Sequence, residues 1–569
     1  MNYRNLLQHE IEELEAQGCY SNDWQQVTVT DDFDPAGIHN AGFDGEVRIG
    51  SGVHIRNVGI IRTTDGATFG ENVTISVQNE AGDGNLILYS GLTSQTAALM
   101  VRNVDNKPLF NKIKELVAQH VKENSVPCTT IGDGVTISDC RELTNVNIGP
   151  YCELSGASRL VDCTLSPTPE ANIYIGDDVI MENVIAQAGA TIVDGAKIYD
   201  TFVGEACHIG RGFTSENSVF FANSHMDNGE SCAAFCGPFS VSHHKSSLLI
   251  GGEYSFYNAG SGTNFSNHAY KMGPIHYGTL ERGTKTASGA YVLMPATIGA
   301  FSVCFGKLMH HPDTRNLPFS YLMAYGDDCY LVPGRNITTV GLYRDIKKWP
   351  KRDKRSKQSR KSIINFDWLS PFTVGEIVEG IKILKALREA SGDNVSTYNF
   401  HEYVINASSL RKGLKYYDIA LRIYMGAVLK RAQKEGYIGR PASTVGQGKW
   451  IDMSGLLLPQ SEEQRLVDDI KSGAIDNIQQ VLDRFAEINN NYSNYRWAWS
   501  YQMILDYYQL EELDEAACER IREDYVKARR AWIAEIRKDA EKEFQMGDVD
   551  QDVYDDFLSK LDHEIDYEN

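Results

Sequence analysis

The stretch Ile175–Phe213 contains IGDDVI (175–180), IVDGAKI (192–198), VGEACHI (203–209) and IGRGF (209–213), short units with an apolar residue followed by glycine or a small turn residue. The same spacing occurs elsewhere. Ile49, Val53 and Ile55 stand at i, i+4 and i+6 with Gly50 at i+1, and the pattern returns at Phe69/Val73/Ile75, Ile131/Val135/Ile137, Ile148/Cys152/Leu154 and Ile175/Val179/Met181. An apolar period of six with β-branched residues at the repeated position excludes an amphipathic helix, whose period is 3.6. It predicts a parallel β-helix: each unit is a short strand and a turn, side chains at i and i+4 point inward, and glycine at i+1 accepts the turn backbone. Stacked coils satisfy each other's backbone groups, leaving only the end coils to be capped.

This pattern resembles the hexapeptide-repeat superfamily of left-handed β-helices, typified by UDP-N-acetylglucosamine acyltransferase and the maltose and serine acetyltransferases. The resemblance covers about Ile49 to Phe305 and implies coils of about 18 residues, three units each, and a homotrimer. NEAGDG (79–84), GTNFSNH (262–268) and GLYRDIKKWPKRDKR (341–355) look more particularly like an uncharacterised bacterial family of long β-helix proteins.

Outward from the repeats, residues 1–45 read as an acidic amphipathic helix and a loop. The β-helix is expected over 46–310, interrupted by a helical insertion at about 92–126, where Phe110, Ile113, Leu116 and Val117 have helical spacing. Residues 311–363 read as an irregular connector, and 364–569 as an α-helical domain opened by a capping box at TVGE (373–376). Trp497, Trp499, Tyr501, Tyr507 and Tyr508 read as packed core. The connector ends in KKWPKRDKRSKQSRK (347–361), nine Lys or Arg in 15 residues. Such a run is either a solvated linker or a clamp for an anion such as a nucleotide phosphate.

The formal charge of −21 argues against a broad nucleic-acid face. Eleven scattered cysteines lack a disulfide framework and point to a reducing, cytoplasmic setting. The Cys232/Cys236 pair has no partner pair at zinc-finger spacing. No apolar run approaches the ~18 residues of a membrane span, and neither a Walker loop nor the GxGTR start of a nucleotidyltransferase occurs.

Histidines and polar residues concentrate between Asn223 and His311. Cys207, His225 and His243 are 18 residues apart, one nominal coil, so they are expected to stack; counting from Val203 and Phe221 turns Cys207 and His225 inward, whereas counting from Val241 turns His243 outward. In the hexapeptide acyltransferases a histidine acts as general base toward an acceptor hydroxyl or amine attacking an acyl thioester, a task suited to a pKa near working pH. On that resemblance the candidate bases are His268, then His225 and His243. Asn267 and Asn264 are the polar positioners, and Lys245 could hold a phosphate or carboxylate. The implied activity is acyl transfer from acyl-CoA, as co-substrate with no bound cofactor, to a sugar or nucleotide sugar. The alternatives are a non-catalytic sugar- or nucleotide-binding assembly and a histidine-liganded metal enzyme. The His-x4-His pair of the related γ-type carbonic anhydrases is absent.

Overall fold

The computed structural model describes residues 2–265, 277–358, 360–547 and 550–566. One sheet of short strands, nearly all parallel, winds through the first 325 residues as a parallel β-helix, and helices dominate the chain beyond it. One wall is traced by Tyr174–Ile175, Thr191–Ile192, His208–Gly210, His225–Asp227, Val241–Ser242, Asn258–Ala259, Lys285–Thr286, Val303–Phe305 and Tyr321–Tyr325, each paired in parallel with the next. Along it Ile175, Ile192, Ile209, Met226, Ala259, Cys304 and Leu322 point inward and are buried. Each isoleucine, leucine or methionine among them contributes about 1.5–3 kcal/mol by leaving water.

The coils leading to the histidines are 17 residues, not 18: Ile131 pairs with Ile148, Thr191 with His208 and His208 with His225; the coil from Lys285 to Val303 is 18 and that from His225 to Val241 is 16. Asn and Asp hold many coil corners in the left-handed region, Asn145, Asp162, Asn183, Asp200 and Asn217 among them, as these residues tolerate it better than other non-glycine types. Some tie coils together: Asn183 Nδ2 donates to Asp200 Oδ1 at 3.0 Å.

Several boundaries differ from the sequence reading. The solenoid starts before residue 46, since Val27–Thr30 and Ile38–Asp44 already pair with Val47–Ile49 and His54–Arg62. Helix α1 (Gln8–Ala16) sits at this end, where Tyr3–Asn5 pairs antiparallel to Val27–Thr30. The excursion is wider than 92–126, because His54–Arg62 pairs with Thr136–Ser138 and Glu142–Ile148, leaving 63–128 outside the coils. It holds an antiparallel hairpin, Val73–Ile75 with Leu86–Leu88, and helices α2 (Ser94–Arg102) and α3 (Lys107–Asn124). The repeat-like Phe69/Val73/Ile75 therefore belongs to a hairpin, not a coil.

The connector is ordered. Tyr321–Tyr325 turns back antiparallel into Asp328–Val332, and α4 (Val340–Lys348) follows. Helix α5 (Pro371–Ser391) starts earlier than TVGE suggests: Ser370 caps it, Thr373 completes the box, and Pro371 occupies the first turn, where its missing N–H costs nothing. Helices α6 (Ala407–Glu435), α7 (Gln460–Ser472), α8 (Ile478–Asn490), α9 (Tyr492–Tyr508), α10 (Glu515–Met546) and α11 (Gln551–Asp566) complete the region. It also contains two hairpins, Thr397–Phe400 with Tyr403–Asn406 and Trp450–Met453 with Leu456–Pro459.

The excursion and the C-terminal helices share a second hydrophobic core. Val77, Leu88, Leu99 and Val117 pack with Leu458, Leu466, Val481 and Phe485 over Phe202, Phe221 and Phe235 on the solenoid wall. The buried Gln95 of α2 joins three segments, accepting from Ile363 N at 2.9 Å and donating to the Ile363 and Met453 carbonyls at 3.0 and 3.2 Å.

Candidate functional site

The wall carrying the inward Ile192, Ile209 and Met226 presents the alternate residues outward, because side chains alternate along a strand. With a 17-residue coil those outward residues are His208 and His225, in register on neighbouring coils. Their rings lie 4.4 Å apart, and His243, two residues beyond the next strand partner Val241, meets His225 edge-on at the same 4.4 Å. Cys207 is the residue that turns inward, and it is fully buried. His225 does not join it: the 18-residue spacing placed it one position out of register.

Asp227 shares the histidine face because it lies two residues past His225. It is 3% exposed. Its Oδ2 is 3.1 Å from His225 Nε2 and its Oδ1 is 3.4 Å from His208 Nε2. Arg211 Nε stands 3.8 Å from the same carboxylate. Desolvation of the inner part of the rings, reinforced by the charge His225 can carry, lowers the imidazoles of His208 and of the more exposed His243, with Asp227 opposing. Both rings are therefore neutral at neutral pH.

A cavity of about 370 Å³ opens over these histidines. Its far side is α4 and the first part of the basic run, which bring Arg344, Lys348, Arg352 and Lys354 opposite the wall residue Lys285. Lys285 is ion-paired with Asp345. Among the described residues no carboxylate lies in salt-bridge range of the other four. Burial lowers the Lys348 ammonium, as does the Arg352 charge. Crowded cations with so little acid favour an anionic ligand.

The basic run is thus neither a free linker nor wholly a clamp. Arg352 and Lys354 face the cavity, while Arg355 is buried and clips the segment to the solenoid. Its Nε and Nη2 donate to Asp353 at 2.9 Å each, Nη1 donates to the Ser362 carbonyl, and Glu205 Oε2 lies 3.7 Å away. Glu205 accepts from the backbone N–H groups of Lys361 and Ser362 at 2.9 and 3.1 Å, and Asn223 Nδ2 donates to Asp353 at 2.9 Å.

Of the sequence candidates, His225 and His243 meet in the cavity. Lys245 is exposed and does not line it. Asn264 bridges Leu248 and Tyr291 on a different wall and does not line it either. His268 and Asn267 lie outside the described residues. Sequence reasoning missed His208, Asp227 and Arg344, although the 17-residue interval from His208 to His225 repeats that from Ile131 to Ile148.

Could the site hold a metal? Among the described residues the group with suitably close ligand atoms is His208, His225 and Asp227, all within 4.8 Å of one another. The donor set suits zinc, but Arg211 and the opposing cations weigh against a bare divalent ion. Cys232 and Cys236 are not in that group.

A profile described as Domain of unknown function (DUF4954) matches residues 3–53 and 48–388, and one described as Domain of unknown function (DUF6819) matches 437–567. An "Uncharacterized protein" of Treponema pallidum (strain Nichols) is 20% identical, the alignment covering 83% of this chain and 78% of the relative. A crystal structure from Desulfovibrio desulfuricans G20, provisionally titled an acetyltransferase, shares 12% identity and covers 62% of this chain and 89% of its own, with a TM-score of 0.11. No helix among the described residues is long and apolar enough to cross a membrane.

Proposed function

The chain belongs to the family described as Domain of unknown function (DUF4954), and from the geometry of its histidine cavity we propose that it is a group-transfer enzyme acting on a phosphate-bearing substrate. The observation that carries this reading is the His225–Asp227 contact of 3.1 Å beneath a rim of cations. With Asp227 accepting from Nε2–H, the tautomer leaves the lone pair on His225 Nδ1, the arrangement a general base requires.

The specific reaction we propose is acyl transfer from a thioester such as acyl-CoA to a hydroxyl of a sugar or nucleotide sugar. His225 takes the acceptor proton, the oxygen attacks the thioester carbonyl, the C–S bond breaks, and the departing thiolate receives the proton back from His225. Arg344, Lys348, Arg352 and Lys354 hold phosphates of donor or acceptor. In this reading the cavity is closed by α4 of the same chain, so the reaction does not depend on the homotrimer implied by the superfamily resemblance.

Acetyl-CoA and a panel of nucleotide sugars should release free CoA thiol with wild-type protein and not with His225→Asn. Equal release by the variant would remove His225 as the base. Nucleotide-sugar binding without thiol release would favour a non-catalytic assembly, and one zinc per chain that supports turnover would favour the metal reading of His208, His225 and Asp227.

A further inference from the structure

A second cavity, about 1250 Å³, lies where coil residues 253–255 and 279–282 face helices α5, α6 and α9 and the Trp450–Met453 hairpin. It is separate from the histidine cavity and independent of the group-transfer reading. Glu281 of the solenoid and Glu376 of α5 meet there and share a hydrogen bond, and burial raises both carboxyls well above the usual range. Two carboxyls in such contact cannot both ionise, so the pair retains a proton. Glu281 Oε2 also accepts from Ala300 N–H at 3.1 Å, whereas Glu376 Oε2 is shielded from solvent and has no hydrogen-bond partner beyond the Glu281 carboxyl.

Around this pair stand further polar atoms in the same condition. Arg282, 2% exposed, lies over the Phe256 ring, donates from Nη2 to the Asn365 carbonyl at 2.6 Å and stands 3.4 Å from Asp452, yet its Nη1 has no hydrogen-bond partner. Asp452 Oδ1 accepts from Gly455 N–H at 2.8 Å, and Oδ2, which faces Arg282 Nε at 3.4 Å as an ion pair, accepts no hydrogen bond. Ser454 Oγ, on a residue also 2% exposed, has none. The walls thus offer carboxylate acceptors, a guanidinium donor and a hydroxyl close together. The lining mixes Arg282, Arg102 and Lys449 with Asp452, Glu379 and Asp506, so an anion and a cation would each meet like charge. A hydroxyl donates and accepts at once, and so serves both kinds of wall. Trp499, fixed by its Nε1 donating to the Gly448 carbonyl at 3.1 Å, adds a half-buried aromatic face of the kind on which the C–H face of a sugar ring packs.

We infer that this cavity between solenoid and helical region is a binding site for a neutral polyhydroxylated ligand, a sugar ring or short saccharide, held by Glu376, Arg282, Asp452 and Ser454 and packed on Trp499. The whole protein is titrated by calorimetry and tryptophan fluorescence with D-glucose, N-acetyl-D-glucosamine and maltose, with glucose 6-phosphate and spermidine as charged controls. At least one neutral saccharide is expected to bind at millimolar concentration or below and to perturb tryptophan emission. Ser454→Ala, a small change in a buried turn, should weaken it about fivefold, the loss of one hydrogen bond, and Trp499→Ala about tenfold. His225→Asn should leave saccharide binding unchanged, which separates this site from the proposed reaction. No neutral saccharide binding, binding of a charged control alone, or equal affinity in folded Ser454→Ala and Trp499→Ala variants would overturn the assignment.

Discussion

Arg355→Met isolates the charge that clips the basic segment to the solenoid, because methionine keeps much of the side-chain volume. The arginine is 2% exposed on its side chain, and its removal leaves the buried Asp353 and Glu205, 3% and 4% exposed, with Arg360, 3.4 Å from Asp353 and more exposed, as the remaining ion-pair partner. Breaking one side of a buried ion pair costs about 3–5 kcal/mol. A second route gives a similar scale. Burial alone would raise the Asp353 carboxyl, but hydrogen bonds and charge from Arg355, with help from Asn223, outweigh it and hold it at about 2 against an ordinary 3.8. That difference corresponds to about 2 kcal/mol for Asp353 alone. Because the folded value is depressed, this stabilisation is present above pH 3.8 and is lost as the pH falls through 2. Urea unfolding at neutral pH should therefore show Arg355→Met less stable by about 3 kcal/mol or more, with the gap narrowing as the pH falls below 3.8. The same variant should weaken nucleotide-sugar binding, since Arg352 and Lys354 lose their anchor. A variant within about 1 kcal/mol of wild type, or a gap indifferent to acid, would refute the argument that this arginine carries the segment.

Asp227→Asn removes the carboxylate that fixes the His225 tautomer, and CoA release should fall by about 10²–10⁴-fold while the thermal midpoint changes little. Glu253, pushed up to about 7 by burial, contributes stability that is complete below 4.5 and is lost as the pH rises through 7. Wild type should thus lose about 3 kcal/mol relative to Glu253→Gln across that window in denaturant titrations. In α6 a Cβ at Gly426 would come within 2.4 Å of the Tyr525 side chain of α10. Gly426→Ala should therefore lower the melting temperature by the equivalent of about 1–3 kcal/mol, against the gain that alanine ordinarily brings to a helix. If the general-base reading holds, chelator dialysis leaves CoA release unchanged, and elemental analysis of the dialysed protein checks that metal has been removed.

The β-helix was legible because its signal is local and repeated. Ile131, Ile148, Ile175 and Ile192 each need only their own strand and turn to be recognised, and all four point into one core. The same local signal misled at Phe69–Ile75, where a hairpin shows the spacing of a coil. A strand-and-turn unit looks alike whether its partner is the next coil or its own return strand. The histidine region was legible as a region but not as a geometry. One residue of error in coil length exchanges inward and outward faces, and it replaced the His208–His225 stack with a Cys207–His225 one. Composition marked the basic run without dividing it between Arg355, which is buried, and Lys354, which lines the cavity.

The amino-acid sequence by itself determined the repeat and the helical character of the C-terminal part, because each depends on side chains a few positions apart. Only the tertiary structure decided which groups meet. Glu281 reaches Glu376, Glu205 reaches Arg355, and α4 closes over His225 because the 63–128 excursion and the C-terminal helices fold back on the solenoid through a shared core. Such contacts arise from burying apolar surface between distant segments, and no local spacing records them.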